Sequence, residues 1–363
     1  MNDAIANAVE MLNKIETKKD NSKQASFGDS RYKAIPFDVK NFHEIPADLG
    51  EKTIAAVDGG NIEIVSAPNF SLSLVRVAVS AYKNNKKIKL PVDEIITFYC
   101  LAVASNEGFG KITYTVRLFP MSKKHAPYLP DEQDLVFDSF DPTITTGNRV
   151  KISKMGGVAR RFSEWKLAEI VSEVLEPGDI IVKDGSLQTG ITKESIYSNK
   201  LYASAIKNDV VFCGVSKTST LLTDTGCGLS GEIMKMAKDA GLKNPWVYHP
   251  ICDIEHPDHR AEMYFVKLNC ESRHAFRFEI LKDQKTHAKE IISALSKNSV
   301  DISFPGYPYA LIDADRCARV RKNEIEHHRM MFLSIASKNA SFKNIAHQIA
   351  STDAHGTLDR MIR

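Results

Sequence analysis

Two apolar runs, each ending in Asp-Gly, constrain this chain more than any other feature of its 363 residues. The first is "IAAVDGG" (54–60) and the second is "IIVKDGS" (180–186). Each has the length and the branched, apolar character of a buried strand. Each would deliver an aspartate, Asp58 or Asp184, at the strand end, where ligands gather in α/β sheets. The glycine that follows permits a sharp turn or a close backbone approach. Between them lies "VARRFSEWKLAEIVSEVLEPGD", with apolar residues at Phe162, Trp165, Leu167, Ala168, Ile170, Val171 and Val174. That spacing predicts a helix, stopped by Pro177-Gly178.

The remaining periodicity extends this unit. Strands are predicted in "IEIVSA", "SLSLVRVAVSAY" and 111–120, where Ile112, Tyr114, Val116 and Leu118 share one face. The stretch 121–150, rich in Pro, Asp and Gly, is expected to be a long loop excursion. A helix over 194–207, the strand "DVVFCGVSK" and a short helix at 231–240 follow, then strands in "PWVYH", "EMYFVKLN" and "HAFRFEIL". Helices close the pattern at 285–297 and from Tyr309 to about Ala336. The order predicts an α/β chain with a mixed sheet. At the N-terminus, Ile5, Val9, Leu12 and Ile15 make one apolar helix face, expected to dock on the protein's own core, with a partner as the alternative. Residues 1–25 are thus a helix and linker, 45–330 the main domain, and 331–363 a C-terminal helical segment.

Composition excludes several classes. The net charge of +3 permits nucleic acid as a partner without requiring it, although residues 316–363 carry nine Lys/Arg against four Asp/Glu. The six cysteines form no CxxC pair, so a zinc ribbon or redox motif is not expected. No Walker A or glycine-rich dinucleotide loop is present. With no signal-peptide core and no run near ~20 apolar residues, the expectation is a cytoplasmic protein with no membrane partner. The stretch "HPICDIEHPDHR" (249–260) holds metal-capable side chains but no zinc spacing, and is expected to be a polar loop between strands.

Two strand-end aspartates on neighbouring strands, with Glu164 on the intervening helix, suit a hard divalent cation that prefers oxygen ligands. Like charges packed together are costly without a cation, so cluster and ion explain each other. Two ions ~3.5–4 Å apart can activate water and steady a leaving oxygen in phosphodiester hydrolysis. Taken singly, Asp-Gly after a strand is an ordinary turn and Glu164 an ordinary helix glutamate. The constellation alone also fits a phosphatase or a sugar-phosphate enzyme.

The order "AAVDGG", "RRFSEWKLAEI", "IIVKDGSL", "VVFCGVSKTS" and "FPGYPYALIDADRCARV" resembles the NurA nuclease family, from about residue 53 to 320. The resemblance implies a ribonuclease-H-like mixed sheet flanked by helices, with the N-terminal helix and helical C-terminal extension added. It also implies a metal-dependent deoxyribonuclease acting on single-stranded DNA and duplex ends. Mn²⁺ or Mg²⁺, two ions per site, would be the cofactor. A homodimer would work with a HerA-type hexameric ATPase in DNA end processing or defence against foreign DNA. By the same resemblance Asp58, Glu164 and Asp184 are metal ligands, Tyr307 belongs to the catalytic set, and Lys217 and Arg161 contact nucleic acid. A lysine at a strand end is as readily a solvent-facing residue.

One position departs from the family pattern. Where a histidine usually follows the tyrosine by eight residues, this chain has Asp315. Aspartate can bind metal or accept a proton but cannot donate as imidazolium does. Asp315 is kept in the catalytic set, with altered metal affinity or pH dependence expected. His327 and His328 are expected on an exposed face. The alternative is a weakly active or non-catalytic adaptor that guides DNA into the same ATPase.

Overall fold

The computed structural model describes residues 2–17, 22–46, 51–106, 108, 110–145, 147, 149–339 and 342–352. Part of the expected N-terminal linker (18–21) and of the expected C-terminal segment (353–363) lies outside the described residues. In chain order, α1 (Asn2–Thr17), β1 (Ala25–Ser26), β2 (Tyr32–Ala34) and β3 (Phe42–Glu44) precede two long strands, β4 (Thr53–Ala67) and β5 (Phe70–Lys83). Then come β6 (Lys86–Ile88), β7 (Ile95–Asn106), β8 (Ile112–Pro120), β9 (Val136–Asp138), α2 (Lys154–Ser172), β10 (Ile180–Asp184), α3 (Glu194–Lys207) and β11 (Val211–Ser216). The chain continues with β12 (Leu222–Thr223), α4 (Leu229–Asp239), β13 (Trp246–Tyr248), β14 (Cys252–Ile254), β15 (Ala261–Lys267), β16 (Phe276–Leu281) and α5 (Ala288–Lys297). It closes with α6 (Tyr309–Ala318), α7 (Lys322–Ser337) and α8 (Phe342–Thr352).

Among the described residues twelve strands form one sheet in the order β3-β13-β15-β16-β11-β10-β4-β5-β7-β8-β9, with β6 beside β5. β10 lies parallel to both β4 and β11, while the other pairs are antiparallel. This is the ribonuclease-H-like mixed sheet expected from the sequence. Parallel strands are covered on both faces, and their sequences show it: β11 is buried throughout and β10 up to Asp184. On one face, Phe162, Trp165 and Leu167 of α2 and Leu201 of α3 pack on Val77, Phe98 and Phe212. On the other, Ile291 and Leu295 of α5 and Ala310, Leu311 and Ala314 of α6 pack on Ile54, Val182, Val215 and Phe278.

Three expectations are corrected. The stretch 121–150 is not a free excursion: it carries short 3₁₀ turns and β9, and sends Tyr128, Leu135, Phe137 and Val150 into the core. These apolar residues are scattered, so no period betrays them. The 249–260 stretch is not simply polar loop, since Cys252–Ile254 pairs with Tyr32–Ala34 and His259 is buried. The amphipathic α1 forms, but Ile5, Val9 and Leu12 are exposed rather than docked on the protein's own core. No helix among the described residues is long and apolar enough to cross a membrane.

Candidate active site

The parallel register fixes the two aspartates. Ile180 pairs with Ile54 and Lys183 with Val57, so Asp58 and Asp184 stand one step further on, side by side where the parallel pairing stops. Asp184 closes β10, but the strand expected to end at Asp58 does not: β4 runs on to Ala67, and Asp58 pairs with Ala78 of β5. Asp184 pairs with Val215 on its other side, which puts Lys217 just past the end of β11 at the same edge. The two glycines after Asp58 admit helices from opposite faces. A β-carbon on Gly59 would lie 2.5 Å from Glu164 Oε1 and 2.9 Å from Arg160 Cγ. One on Gly60 would lie 2.5 Å from the carbonyl oxygen of Ala318, at the end of α6. A side chain at Gly60 would press on the α6 backbone and one at Gly59 would displace the Glu164 and Arg160 side chains, which is the physical content of "DGG".

Glu164 is thereby brought beside Asp58, and both are buried. Arg160 Nη1 donates to Glu164 Oε1 at 2.6 Å and to the Gly59 carbonyl at 2.9 Å, and Lys183 Nζ lies 3.2 Å from Glu164 Oε2. Burial opposes ionisation of Glu164, but Lys183 and Arg160 outweigh it and hold the carboxyl below its usual range. Asp58 has less help. Burial pushes its carboxyl up to about 7, the charges of Asp184 and Glu164 add to this, and Lys217 with the Gly59 N–H offsets only part.

Tyr307 donates to Asp184 Oδ1 at 3.1 Å. Its ring is fully buried against Phe304 and Phe276. Burial, then the Asp184 charge, holds the phenol well above its ordinary range, so it stays a donor. Lys217 Nζ reaches Asp184 Oδ2 at 2.8 Å, Asp315 Oδ1 at 3.0 Å and Asp58 Oδ2 at 3.9 Å, and sits over the Tyr307 ring. Burial works against the ammonium, but bonds to Asp184 and Asp315 raise its pKa. Asp315, on α6, also accepts from Arg319 at 2.6 Å, and its carboxyl is lowered by Lys217 and Arg319 against its own burial.

Asp58, Glu164, Asp184, Lys217 and Arg161 line one cleft of about 440 Å³, with Ser216 and Thr218 on its wall. A larger cleft of about 750 Å³ lies further along β4, lined by Glu63, Arg149 and Lys151. It lacks Asp58 and Asp184, and the chemistry belongs with the smaller cleft. Arg161 lines that cleft, yet its guanidinium is paired with the buried Glu194 and donates to the Gln188 carbonyl at 2.7 Å. His328 accepts or donates at 2.8 Å to Tyr99 through Nδ1, on α7.

Sequence patterns had not singled out Arg160, Lys183 or a second buried group behind the Asp184 loop. Lys183 stood in plain view, as a charged residue in an otherwise apolar strand. Glu279 Oε2 accepts from the Leu187 N–H at 2.7 Å and from Ser186 Oγ at 3.1 Å, so it holds the loop that follows Asp184. Arg277 pairs with Glu279 and donates to Ser186 Oγ at 2.9 Å. His259 Nε2 lies 3.1 Å from Glu279 Oε2, an ion-pair distance without hydrogen-bond alignment.

The donors of the cleft are carboxylate oxygens, the ligand class of Mg²⁺ and Mn²⁺. Asp58 remains short of positive charge, so the set fits a divalent cation. Among the described residues, however, no three or more His, Cys, Asp or Glu side chains are gathered into a metal-holding group. Glu164 is turned to Lys183 and Arg160, and Asp184 to Lys217.

The structure of the NurA nuclease from Sulfolobus solfataricus matches at 14% identity and a TM-score of 0.46, covering 83% of this chain and 89% of that one. Endonuclease V from Ciona intestinalis, solved with an inosine-containing DNA, matches at 12% identity and a TM-score of 0.33, covering 86% of this chain and 97% of that one. An Argonaute from A. aeolicus matches at 8% identity and a TM-score of 0.30, over 73% of this chain and 28% of that one. Comparison with curated proteins finds no match. The sequence profile of the NurA domain matches residues 52–320, most of the chain, which therefore belongs to the NurA family of nucleases.

Proposed function

We propose that the protein is a metal-dependent deoxyribonuclease, cutting single-stranded DNA and duplex ends at the cleft around Asp58, Glu164 and Asp184. The observation that carries this reading is the side-by-side register of Asp58 and Asp184 with Glu164 packed on Gly59. The paired strands β4 and β10 and the packed face of α2 hold the three carboxylates with little freedom to reorganise. Mn²⁺ or Mg²⁺, two ions per site, would supply positive charge and Lewis acidity toward the phosphodiester. Tyr307 orients Asp184 through its hydrogen bond and stays protonated. Lys183 and Arg160 keep Glu164 ionised. Ser216 and Thr218 offer hydroxyls along the cleft wall to a phosphate backbone. Lys217 and Arg161 are the proposed cationic contacts for that backbone.

The physiological form we propose is a cytoplasmic homodimer that works with a HerA-type hexameric ATPase. Its roles would be DNA end processing or defence against foreign DNA. The test is end-labelled single-stranded DNA offered with Mn²⁺, with Mg²⁺ and with chelator, beside a small aryl phosphate ester. Metal-dependent shortening of the DNA without turnover of the ester supports the nuclease; ester turnover without DNA cleavage favours a phosphatase instead. A second reading, a weakly active adaptor of the same ATPase, is favoured by Asp315, which Lys217 and Arg319 pin where the family carries histidine. Cleavage that stays absent with Mn²⁺ and with the ATPase added would select it.

A further inference from the structure

We infer that Lys217 is a displaceable counter-ion for Asp58 and Asp184, and that Asp315 is the carboxylate that retains it when a divalent cation enters. The inference rests on the metal-dependent reading above.

Among the described residues three side-chain cations pair with Asp58, Glu164 or Asp184, and they differ in how readily they can leave. Lys183 is nearly fully buried, at 6% side-chain exposure, and is tied to Glu164. Arg160 is bound to both Glu164 and the Gly59 carbonyl. Lys217 differs from Arg160 in its partners rather than its exposure, 34% against 30% for the side chain. It lies just past the end of β11, and of the three it alone touches both Asp58 and Asp184. A divalent ion placed between those aspartates would repel the ammonium strongly at such distances. Asp315 gives that ammonium a second anchor, already at 3.0 Å and on α6 rather than on the strands. A small swing of the lysine stem therefore frees Asp184 and keeps the Asp315 contact. A histidine at 315 could not do the same: neutral imidazole is a poor anchor for ammonium, and imidazolium repels it. Asp315 acts here through Lys217, as a positioning residue. Arg319 at 2.6 Å holds its carboxylate ready.

The experiment is a double-mutant cycle on Mn²⁺ affinity, measured by calorimetry on the full chain without DNA. Lys217→Met should bind Mn²⁺ about tenfold or more tightly than the parent, because the competing charge is gone. Lys217→Gln should follow it, which guards against a local packing fault in the first variant. Asp315→Asn should weaken binding several-fold in the parent background. In the Lys217→Met background its effect should fall within about twofold of none, so that the cycle is strongly non-additive. Mn²⁺ binding in both Lys217 variants no tighter than in the parent would overturn the inference. Equal weakening by Asp315→Asn in both backgrounds would overturn it too, since Asp315 would then act on the metal directly. In either case, a parent that still binds Mn²⁺ and cuts DNA leaves the nuclease reading standing. A parent that neither binds Mn²⁺ nor cuts removes both.

Discussion

Asp58 carries the strongest residue-scale consequence. Its carboxyl is raised to about 7 from 3.8, so the folded state holds a proton that the unfolded chain releases between those values. Stability of the metal-free protein is therefore lost as pH rises through that window, and the penalty is complete above about 7. Asp58→Asn should raise the metal-free melting temperature at pH 8, less at pH 5.5 and not at all near pH 4, while abolishing cleavage. A melting temperature lowered by the change at pH 8 would contradict this. Glu279 behaves in the opposite sense. Burial opposes its charge, but Arg277 and His259 outweigh it and depress its pKa strongly below 4.5. The stability it contributes is present above 4.5 and is lost progressively as pH falls below it. Glu279→Gln should cost about 1–3 kcal/mol in denaturant unfolding at neutral pH, because the half-buried Arg277 loses its carboxylate partner and the Leu187 N–H its charged acceptor.

Among the elements, α2 and α6 are set by what the Asp58 strand lacks. Gly59→Ala would press a methyl group into Glu164 and Arg160, both side chains that can shift a little. Gly60→Ala would press it into the Ala318 backbone, which cannot. Gly60→Ala should therefore be the more destabilising of the two, by about 1–3 kcal/mol on the scale of overpacked cores. Gly59→Ala should lose cleavage more than stability, since it moves Glu164. Denaturant midpoints beside a cleavage assay check both. The strands delivering Asp58 and Asp184 and the helix carrying Glu164 were legible in the sequence because each is a local periodic run. The partners of Glu279 were not. Leu187, His259 and Arg277 come from separate segments, and no spacing links them. Lys183 was visible as an oddity, but its bond to Glu164 appears only once α2 lies across the sheet. The 121–150 stretch was misjudged because Tyr128, Leu135 and Phe137 reach the core without a helical or strand period.

For the whole molecule, the long β4–β5 hairpin joins the cleft to the C-terminal helices. Arg76 of β5 donates to the Arg319 carbonyl at 3.0 Å and to Glu324 at 2.9 Å, at the break between α6 and α7. Arg319 also holds Asp315, so this junction sits directly behind the cleft. Arg76→Ala should loosen α7 and raise amide exchange there, while leaving β10 and β11 protected.

The most direct test of the central claim is Mn²⁺-dependent cleavage of end-labelled single-stranded DNA by the parent, Asp58→Asn and Asp184→Asn, each confirmed folded by its melting curve. Cleavage by the parent that needs Mn²⁺ and is lost in both variants is the predicted result. Cleavage by either variant at the parent's rate would contradict the assignment of Asp58 and Asp184 as the metal site.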